Sequence, residues 1–420
     1  MSLNKIYPYS LEQAAFLTQS VAWINICDGP VRAGKNFIQN IRFKNYCKLE
    51  PYDDPKSDIA FCGVTKESVY RNFLKDFLTL VGEKNHTYHR QLGRGTIYGR
   101  DFYVWSFKDA DDWKAIQGTT LGGFLMTEGL HCHKDFWDML LSRLSIAGAK
   151  AFIDLNPAGE GHWFYKEILT NEEMLAAGDI RRFRFNFDSN LSLDPEFKEM
   201  LKRKYVPGSL LYRRMILGEW CSSEGVVYSQ FDHQKHTIDP SQVPPKLKTI
   251  WVPLDYGTQN PTVFGQLAKD GNKYYLVDEF YHHGAKEGQK RGSEYAEDMR
   301  VFISNMPARP RSIIADPSAA AFKADLKHIL PGISVIDADN DVLTGIATVT
   351  RLLGNGQLLI SRKCKNTINE IGLYSWDKKY SDRTGEDKPI KKHDHCMDML
   401  RYGCHTTLHN QVTIGKGWFS

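Results

Sequence analysis

The stretch Trp23–Gln39, WINICDGPVRAGKNFIQ, decides the fold of the N-terminal half of the chain. Its apolar start, Trp23–Cys27, predicts a buried strand, and the residues after Lys35 follow a helical pattern. A glycine-rich turn between a strand and a helix is typical of a phosphate-binding loop, in which backbone N–H groups surround phosphate oxygens and a lysine reaches the terminal phosphates. The stretch therefore predicts a nucleotide site formed by Gly29, Arg32, Ala33, Gly34, Lys35 and Asn36.

Two positions around this loop depart from the usual motif. Asn36 stands where a Ser or Thr hydroxyl normally holds Mg²⁺, although an amide oxygen can also ligate that ion directly or through water. The segment Gly122–Leu130, GGFLMTEGL, supplies an apolar strand and then Glu128, which would polarise the attacking water, but Thr127 replaces the expected aspartate. We expect nucleotide binding with slow hydrolysis. The alternative is a glycine-rich turn that leaves Lys35 exposed.

The composition is that of an ordinary globular protein with room for two or three domains. The 420 residues are 42% hydrophobic and 25% charged, and the net charge is only +4. No apolar stretch approaches the ~20 residues that cross a bilayer, and no secretory leader is recognisable, so we expect an intracellular protein without a membrane partner.

The eight cysteines are scattered without a Cys-x-x-Cys pair, which argues against disulfides and a structural zinc site. Contact with a polyanion would depend on local basic clusters: 181–184, 202–204 and 391–392.

Strand-like and helical stretches alternate in the first half. Apolar runs at Ile59–Val64, Gly123–Met126 and Ala151–Leu155 are separated by helical stretches, which is typical of a mostly parallel sheet covered on both faces. Further along, VPPK at 243–246 resists both helix and central strand and is the best candidate linker.

The second half follows a different order. Thr249–Asp255, Thr262–Lys269 and Lys273–Tyr281 are predicted as three consecutive strands, the last two joined by the hairpin signal Asp270-Gly271. Helices and strands then alternate up to a final helix over Asp394–Thr407. Three antiparallel strands followed by alternating helices and strands is the order of a ribonuclease-H-like fold. The chain is therefore predicted to be an α/β protein with two different domains.

Three aspartates of the second half lie on elements that such a fold places side by side. Asp255 ends an apolar strand in WVPLDYGTQNP, and Asp316 ends another in RSIIADPSAA. His395 and Asp398 lie three residues apart on one face of the final helix. Carboxylates that converge can hold two divalent ions, and such ions promote phosphodiester cleavage by activating water and stabilising the leaving oxygen. All-oxygen ligands favour Mg²⁺ or Mn²⁺. Each aspartate alone is more often a turn or cap residue, so the predicted metal site depends on the whole group. The secondary candidates are Asp394 and Glu279.

Through these segments the chain resembles the large terminase subunits of tailed bacteriophages. The matching segments occur in the family's order over nearly the whole chain: RAGK, IQGTTLGGFLMTEGL, LLSRLSIAGAK, DLNPAGEGHWFYKE, FDSNLSLDPEF and RRMILGEWCSSEGVVYSQFD. The resemblance implies an N-terminal P-loop ATPase domain, with a mostly parallel sheet between helices, over residues 1–190. It implies a helical lid or linker segment over 191–245 and a ribonuclease-H-like nuclease domain over 246–420.

The resemblance also implies roles for single residues. Lys35 and the Gly29–Gly34 backbone would bind the phosphates of ATP, and Glu128 would be the catalytic carboxylate. Asn156 would sense hydrolysis and couple it to movement, and Gln13 resembles the family's adenine-reading glutamine. The nuclease would bind Mg²⁺ or Mn²⁺ through Asp255, Asp316 and Asp398, with His395 nearby.

The implied partners are viral double-stranded DNA, a small terminase subunit and the portal protein of the procapsid. On the portal the chain would work as an oligomeric ring, with a monomer as the alternative for the isolated protein. The implied location is the cytoplasm of the host cell.

One further departure concerns transition-state charge. Gln117 stands where many relatives have an arginine, a residue worth about 10³-fold or more in phosphoryl transfer. Lys114 and Arg143 are the candidates to replace it.

Together with Asn36 and Thr127, the substitution at Gln117 leaves two hypotheses for the function. The first is an ATP-driven DNA-packaging motor with an attached endonuclease. The second is a metal-dependent DNA endonuclease whose degenerate P-loop domain binds nucleotide for regulation or docking but hydrolyses it poorly.

Overall fold

The computed structural model describes residues 9–49 and 57–415 of the chain. In this part of the chain, no helix combines the length and apolar character that a membrane span requires. The α-helices of these residues are α1 (Leu11–Gln19), α2 (Lys35–Leu49), α3 (Lys66–Val69), α4 (Lys75–Val81), α5 (Lys134–Arg143), α6 (Glu172–Ala177), α7 (Pro195–Lys204), α8 (Leu210–Met215), α9 (His233–His236), α10 (Gly284–Glu287), α11 (Gly292–Ser304), α12 (Ala320–Ile329), α13 (Val342–Gly354), α14 (Lys365–Ile371), α15 (Lys378–Thr384) and α16 (His395–Gly415).

The β-strands form two sheets. They are β1 (Ile24–Asp28), β2 (Asp58–Gly63), β3 (His86–His89), β4 (Arg94–Ile97), β5 (Arg100–Ser106), β6 (Leu121–Met126), β7 (Lys150–Leu155), β8 (Ile180–Arg184), β9 (Thr237–Ile238), β10 (Thr249–Asp255), β11 (Pro261–Asp270), β12 (Lys273–His283), β13 (Ser312–Ala315), β14 (Ser334–Asp337) and β15 (Leu358–Ser361). A π-helical turn at Tyr70–Leu74 connects α3 to α4.

The first sheet has the strand order β3-β4-β5-β2-β6-β7-β1-β8. From β5 to β8 the neighbours pair parallel, as predicted for the first half. β1 and β6 are buried along their whole length because separate apolar cores, one with α2 and one with α5, cover the two faces. The loops after β1, β6 and β7 therefore leave the sheet at the same edge.

An antiparallel meander, β3-β4-β5, extends this sheet at one end, and the sequence interpretation does not include it. The turn between β4 and β5 is Tyr98-Gly99, where both residues have positive φ, +50° and +82°. Such tight hairpin turns usually show in a sequence as Asn-Gly or Asp-Gly. Tyrosine at the first turn position therefore hides the hairpin.

The second sheet has the strand order β14-β13-β10-β11-β12-β15-β9. β10, β11 and β12 pair antiparallel in sequence order, whereas β13 and β14 extend the sheet from β10 in parallel. The long helix α16 packs against β10 and β11. The predicted α/β class, with a mostly parallel first sheet and a second sheet of ribonuclease-H-like strand order, is confirmed.

Contacts divide the described residues into two compact units. The first unit holds the chain through Lys202 together with Pro207–Ser223 and Lys378–Glu386. The second holds Arg203–Val206, Glu224–Asp377 and the chain from Asp387 onward. The functional boundaries at residues 190 and 245 stay predictions. All eight cysteines are buried free thiols.

Glu279 on β12, a secondary metal candidate, acts as a helix cap. Its carboxylate accepts hydrogen bonds from the N–H groups of Asn366 and Thr367, at 2.6 and 3.0 Å, and from the side chains of both residues. These residues lie in the first turn of α14, where N–H groups have no acceptor within the helix. The carboxylate is therefore engaged in stabilising α14.

Replacing Glu279 by alanine is expected to speed hydrogen exchange of the α14 amides. Loss of a helix cap costs about 1–2 kcal/mol, which corresponds to about 5- to 30-fold faster opening. Hydrogen-exchange mass spectrometry of peptides covering 365–371 measures this. The matched control is Asp278→Ala, whose carboxylate lies 3.7 Å from Lys363 Nζ. Unchanged protection in Glu279→Ala, or an equal loss in the control, contradicts the capping role.

Candidate functional sites

A cavity of about 690 Å³ lies where β1, β6 and β7 end, a volume in the usual range for small-ligand sites. One wall is the glycine-rich loop with the start of α2, and another is the pair of segments that follow β6 and complete β7. The cavity brings the predicted residues Arg32–Asn36, Glu128 and Asn156 together. Its lining residues are Val31, Arg32, Ala33, Gly34, Lys35, Asn36, Phe37, Arg71, Asn72, Thr127, Glu128, Asp154, Asn156 and Asn190.

Lys35 is buried at the base of this cavity. Its ammonium donates hydrogen bonds to the carbonyls of Gly29 and Pro30 and, at 2.8 Å, to Asn156 Oδ1. Asp154 Oδ1 lies 3.6 Å from the same nitrogen, within ion-pair range. These contacts hold the ammonium beside the loop. They also connect it directly to Asn156, the residue predicted to sense hydrolysis.

The loop conformation requires two of its glycines. A Cβ at Gly29 would lie 2.3 Å from the carbonyl oxygen of Phe185, so only glycine permits this close approach of two backbones. Gly34 has a φ of +85°, and a Cβ there would lie 2.8 Å from Gln13 Nε2. The glycines therefore fix the path of the chain from β1 into α2.

Two buried amide side chains hold the loop from outside. Asn190 Nδ2 donates to the carbonyl of Arg32 at 2.6 Å, and Arg32 has a φ of +67°, in the left-handed region. Such a backbone costs a non-glycine residue about 1–3 kcal/mol and is frequent in ligand-binding loops. Gln13 Nε2 donates to the carbonyl of Gly34 at 3.3 Å, while Gln13 Oε1 accepts from the Ser10 N–H in the capping box of α1. Gln13 thus supports the loop, and its role in reading adenine stays a prediction.

Glu128 follows β6 in a strained conformation at the cavity wall. Its φ is +54°, and its backbone N–H group acts to lower the pKa of the Asp154 carboxyl group. The side chain is half-buried at the cavity. Left-handed backbone at a residue of this type is typical of active sites, where the surrounding structure offsets its cost.

Two charged residues of the cavity are missing from the sequence interpretation. Asp154, in β7, is only 5% exposed, and burial raises the pKa of its carboxyl group while Lys35 acts in the opposite direction. Arg71 is exposed on the π-helical turn, a feature frequent at functional sites. Asp154 could have been found from its position two residues before Asn156, whereas nothing in the sequence pattern indicates Arg71.

The residues considered as replacements for the missing arginine lie elsewhere. Lys114 forms an exposed ion pair with Asp111 at 2.9 Å, and Arg143 contacts Met139 Sδ at 3.2 Å. Neither residue lines the cavity, and neither does Gln117. Among the described residues, the arginines of the cavity lining are Arg32 and Arg71.

Asp255 and Asp316 come at neighbouring strand ends of the second sheet. β10 and β13 pair parallel with Leu254 opposite Ala315, so the two aspartates are the next pair along the same edge. Paired positions on adjacent strands are only ~4.8 Å apart. The register therefore brings these two predicted residues side by side.

Helix α16 adds His395 to this edge. His395 Nδ1 lies 2.8 Å from Asp255 Oδ2. Burial acts to lower the pKa of His395, but its hydrogen bond and ion pair with Asp255, together with the negative charges of Asp394 and Glu370, outweigh this effect and raise the pKa. Burial also raises the pKa of Asp255, opposed by His395 and reinforced by the negative charges of Asp398 and Asp394. The histidine and three carboxylates thus form one electrostatic group.

Asp394 and Asp398, one helical turn apart, share the ammonium group of Lys391. Lys391 Nζ lies 3.3 Å from Asp394 Oδ2 and 3.2 Å from Asp398 Oδ2. Burial acts to lower the pKa of Lys391, but the two carboxylates outweigh it and raise the pKa. Buried Arg401 donates to the other oxygen of Asp398 at 2.9 Å. Both Asp398 oxygens therefore face a cationic side chain.

Asp316 is oriented by hydroxyl and amide donors. Its Oδ1 accepts hydrogen bonds from the N–H and hydroxyl groups of Ser318, and its Oδ2 accepts from Tyr402 at 2.8 Å. Burial acts to raise the pKa of Asp316, but these hydrogen bonds outweigh it and lower the pKa. Because Tyr402 follows Asp398 by one turn on α16, the same helix contacts both strand ends.

The donor set of this second site suits Mg²⁺ or Mn²⁺, since both ions prefer carboxylate oxygens. Among the side chains that the structure describes, within 9–49 and 57–408, however, no three acidic, histidine or cysteine groups converge closely enough to hold an ion. Asp255 contacts His395, and Asp398 contacts Lys391 and Arg401. A divalent ion would have to compete with the Lys391 ammonium.

Comparison with known proteins finds similarity along nearly the whole chain. The family described as "Terminase RNaseH-like domain" matches residues 314–406. The large terminase from a thermophilic bacteriophage, in complex with ADP, is 33% identical, with 95% of this chain and 100% of that chain covered and a TM-score of 0.67. The same phage protein in complex with ATP-gamma-S is 34% identical, with 96% and 100% covered and a TM-score of 0.67. No curated protein matches the chain.

Removing the Lys391 ammonium is expected to strengthen Mn²⁺ binding at the second site. A unit charge about 4 Å from a carboxylate is worth about 1 kcal/mol in water-like surroundings, so Lys391→Met should raise the affinity about fivefold. Isothermal titration calorimetry with MnCl₂ measures the change. Lys392→Met removes the same charge from the next residue and is the matched control. Equal affinities in wild type and Lys391→Met, or equal gains in both variants, contradict the competition.

Proposed function

The chain belongs to the large-terminase family of bacteriophages, and we propose that it moves viral double-stranded DNA into a procapsid with ATP and cuts that DNA with a two-metal endonuclease centre. The observation that carries the proposal is the presence of two strand-edge sites, a phosphate-binding loop in one sheet and a group of aspartates in the other. The similar large terminase of the thermophilic bacteriophage is known in complex with ADP and with ATP-gamma-S, which supports a nucleotide as the ligand of the first site.

In this proposal the first site hydrolyses ATP. Lys35 and the loop backbone bind the phosphates, and Glu128 polarises a water molecule. The water oxygen bonds to the γ-phosphorus while the bond from that phosphorus to the β–γ bridging oxygen breaks, and the water proton passes to Glu128. Arg32 and Arg71, which line the cavity, offset charge on the transferred group. Asn156 reports the change to the rest of the unit through its hydrogen bond with Lys35.

The second site cleaves DNA in this proposal. Asp255, Asp316 and Asp398 hold Mg²⁺ or Mn²⁺, and when bound these ions supply an activated water and stabilise the leaving oxygen. His395 orients Asp255 through its 2.8 Å hydrogen bond. The ammonium group of Lys391 moves away from Asp394 and Asp398 and then neutralises a DNA phosphate. Contacts to the DNA backbone make cutting largely independent of sequence.

The partners in this proposal follow from family membership. A small terminase subunit selects viral DNA, and the portal protein of the procapsid carries the chain as a ring. The work takes place in the cytoplasm of the host cell.

A second function, a nuclease with a nucleotide-responsive docking domain, rests on three residues. Asn36 and Thr127 lack the usual hydroxyl and carboxylate, and Gln117 does not line the cavity. Two charged residues of the cavity, Asp154 and Arg71, favour the motor because they supply a carboxylate and a guanidinium group from other positions.

Replacing Asp255 or Asp316 by asparagine is expected to lower Mn²⁺-dependent nicking of supercoiled plasmid at least about 100-fold, because each removes an anionic ligand. Far-ultraviolet circular dichroism confirms that each variant is folded. Asp337→Asn is the matched control, since Asp337 ends the next strand of the same edge and pairs with Lys323. Wild-type cutting by Asp255→Asn contradicts the nuclease assignment.

Phosphate release from ATP in the presence of double-stranded DNA separates the two functions. The motor function predicts ATP turnover in the wild type and none in Lys35→Ala, because that variant lacks the buried ammonium group that binds the phosphates in this proposal. Exposed Lys75 provides the control variant Lys75→Ala, which should retain wild-type turnover. Wild-type release equal to that of Lys35→Ala rules out the motor and leaves the docking function.

A further inference from the structure

Thr127 and Asp154 occupy equivalent places on neighbouring strands. β6 and β7 pair parallel with Met126 opposite Ile153, so Thr127 and Asp154 form the next pair at the edge of the sheet. Side chains at paired positions point to the same face. The acid missing at position 127 is therefore present one strand closer to β1, where Asp154 is opposite Cys27.

Both side chains carry a buried oxygen without a hydrogen-bond partner. Thr127 is 2% exposed and Asp154 is 5% exposed, and both line the cavity. Thr127 Oγ1 and Asp154 Oδ1 have no donor or acceptor within hydrogen-bond distance. An unsatisfied buried polar atom costs about 1–3 kcal/mol, and more for a charged group, so two such atoms in one cavity indicate a ligand that satisfies them.

The other surroundings of Asp154 leave room for a cation. Lys35 Nζ lies 3.6 Å from Asp154 Oδ1, close enough for an ion pair but too far for a hydrogen bond. The ammonium instead donates to two loop carbonyls and to Asn156. The charge of Asp154 is thus only partly compensated by the protein, which agrees with the upward shift that burial causes in its pKa.

We infer that Asp154, together with the Thr127 hydroxyl, supports the Mg²⁺ of a bound magnesium–nucleotide complex, in place of the aspartate that position 127 lacks. Hydroxyl and carboxylate oxygens are the donors that Mg²⁺ prefers, and the ion commonly keeps water molecules between itself and such groups. This inference rests on the proposed nucleotide binding of the first site and adds the residues that make that binding magnesium-dependent.

The alternative role for Asp154 is to position Lys35. The two roles differ in what removal of the charge does to nucleotide binding without magnesium. A positioning residue contributes equally with and without the ion, whereas a magnesium-supporting residue contributes only when the ion is present.

The test is the affinity of the full chain for a fluorescent ATP-gamma-S analogue, measured in MgCl₂ and in EDTA. For Asp154→Asn we expect wild-type affinity, or slightly higher, in EDTA and loss of about 10- to 100-fold in MgCl₂, the usual effect of removing a metal-supporting group. Retained binding in EDTA also shows that the variant is folded. Exposed Asp138 on α5 provides the control variant Asp138→Asn, which should bind as the wild type does in both conditions.

The double variant Thr127→Asp, Asp154→Asn provides a rescue, because it moves the carboxylate to the usual strand. We expect it to recover most of the magnesium-dependent gain. A gain retained in Asp154→Asn, or equal losses with and without magnesium, overturns the inference. Failure of the wild type to bind nucleotide in either condition instead overturns the proposed function, so the two failures are distinguishable.

Discussion

Parallel pairing in register at the carboxyl edge of each sheet is the constraint on which both sites depend. In the first sheet it places Thr127 beside Asp154, and in the second it places Asp255 beside Asp316. The strands themselves are apolar and buried, so they contribute stability, while the residues at or next to their carboxyl ends carry the charge. A change of register by one residue would turn each acid to the opposite face of its sheet and separate the side chains of both sites.

The carboxylates of both sites contact cationic side chains of the protein. Lys35 lies beside Asp154, Lys391 bridges Asp394 and Asp398, and His395 pairs with Asp255. Buried or crowded carboxylates repel one another, and their pKa values rise unless a cation is near. The same negative charge that requires these partners would attract a divalent ion, so the lysines would compete with a metal for the carboxylates.

Much of this arrangement was accessible from the sequence, and the reasons for the rest are local. The sequence predicts the strand–loop–helix order around Lys35 and the strand order around Asp255, because apolar runs mark the strands and turn residues mark their ends. The meander at β3–β5 was not, because Tyr98 occupies a turn position that usually shows Asn or Asp. Arg71 depends on a π-helical turn, and turns of that kind have no simple residue signature. Glu279 shows the opposite difficulty, because its carboxylate is a metal candidate in the sequence and caps helix α14 in the structure.

Paired strand ends in each unit form a divalent-cation site in this proposal. Anomalous diffraction from crystals grown with MnCl₂ and ATP-gamma-S tests it most directly, because manganese is located independently of the phases. We predict peaks beside Asp255, Asp316 and Asp398, and a separate peak beside Thr127 and Asp154. Manganese bound elsewhere, with Asp394 and Asp398 still in contact with Lys391 and Asp154 still beside Lys35, would contradict this proposal.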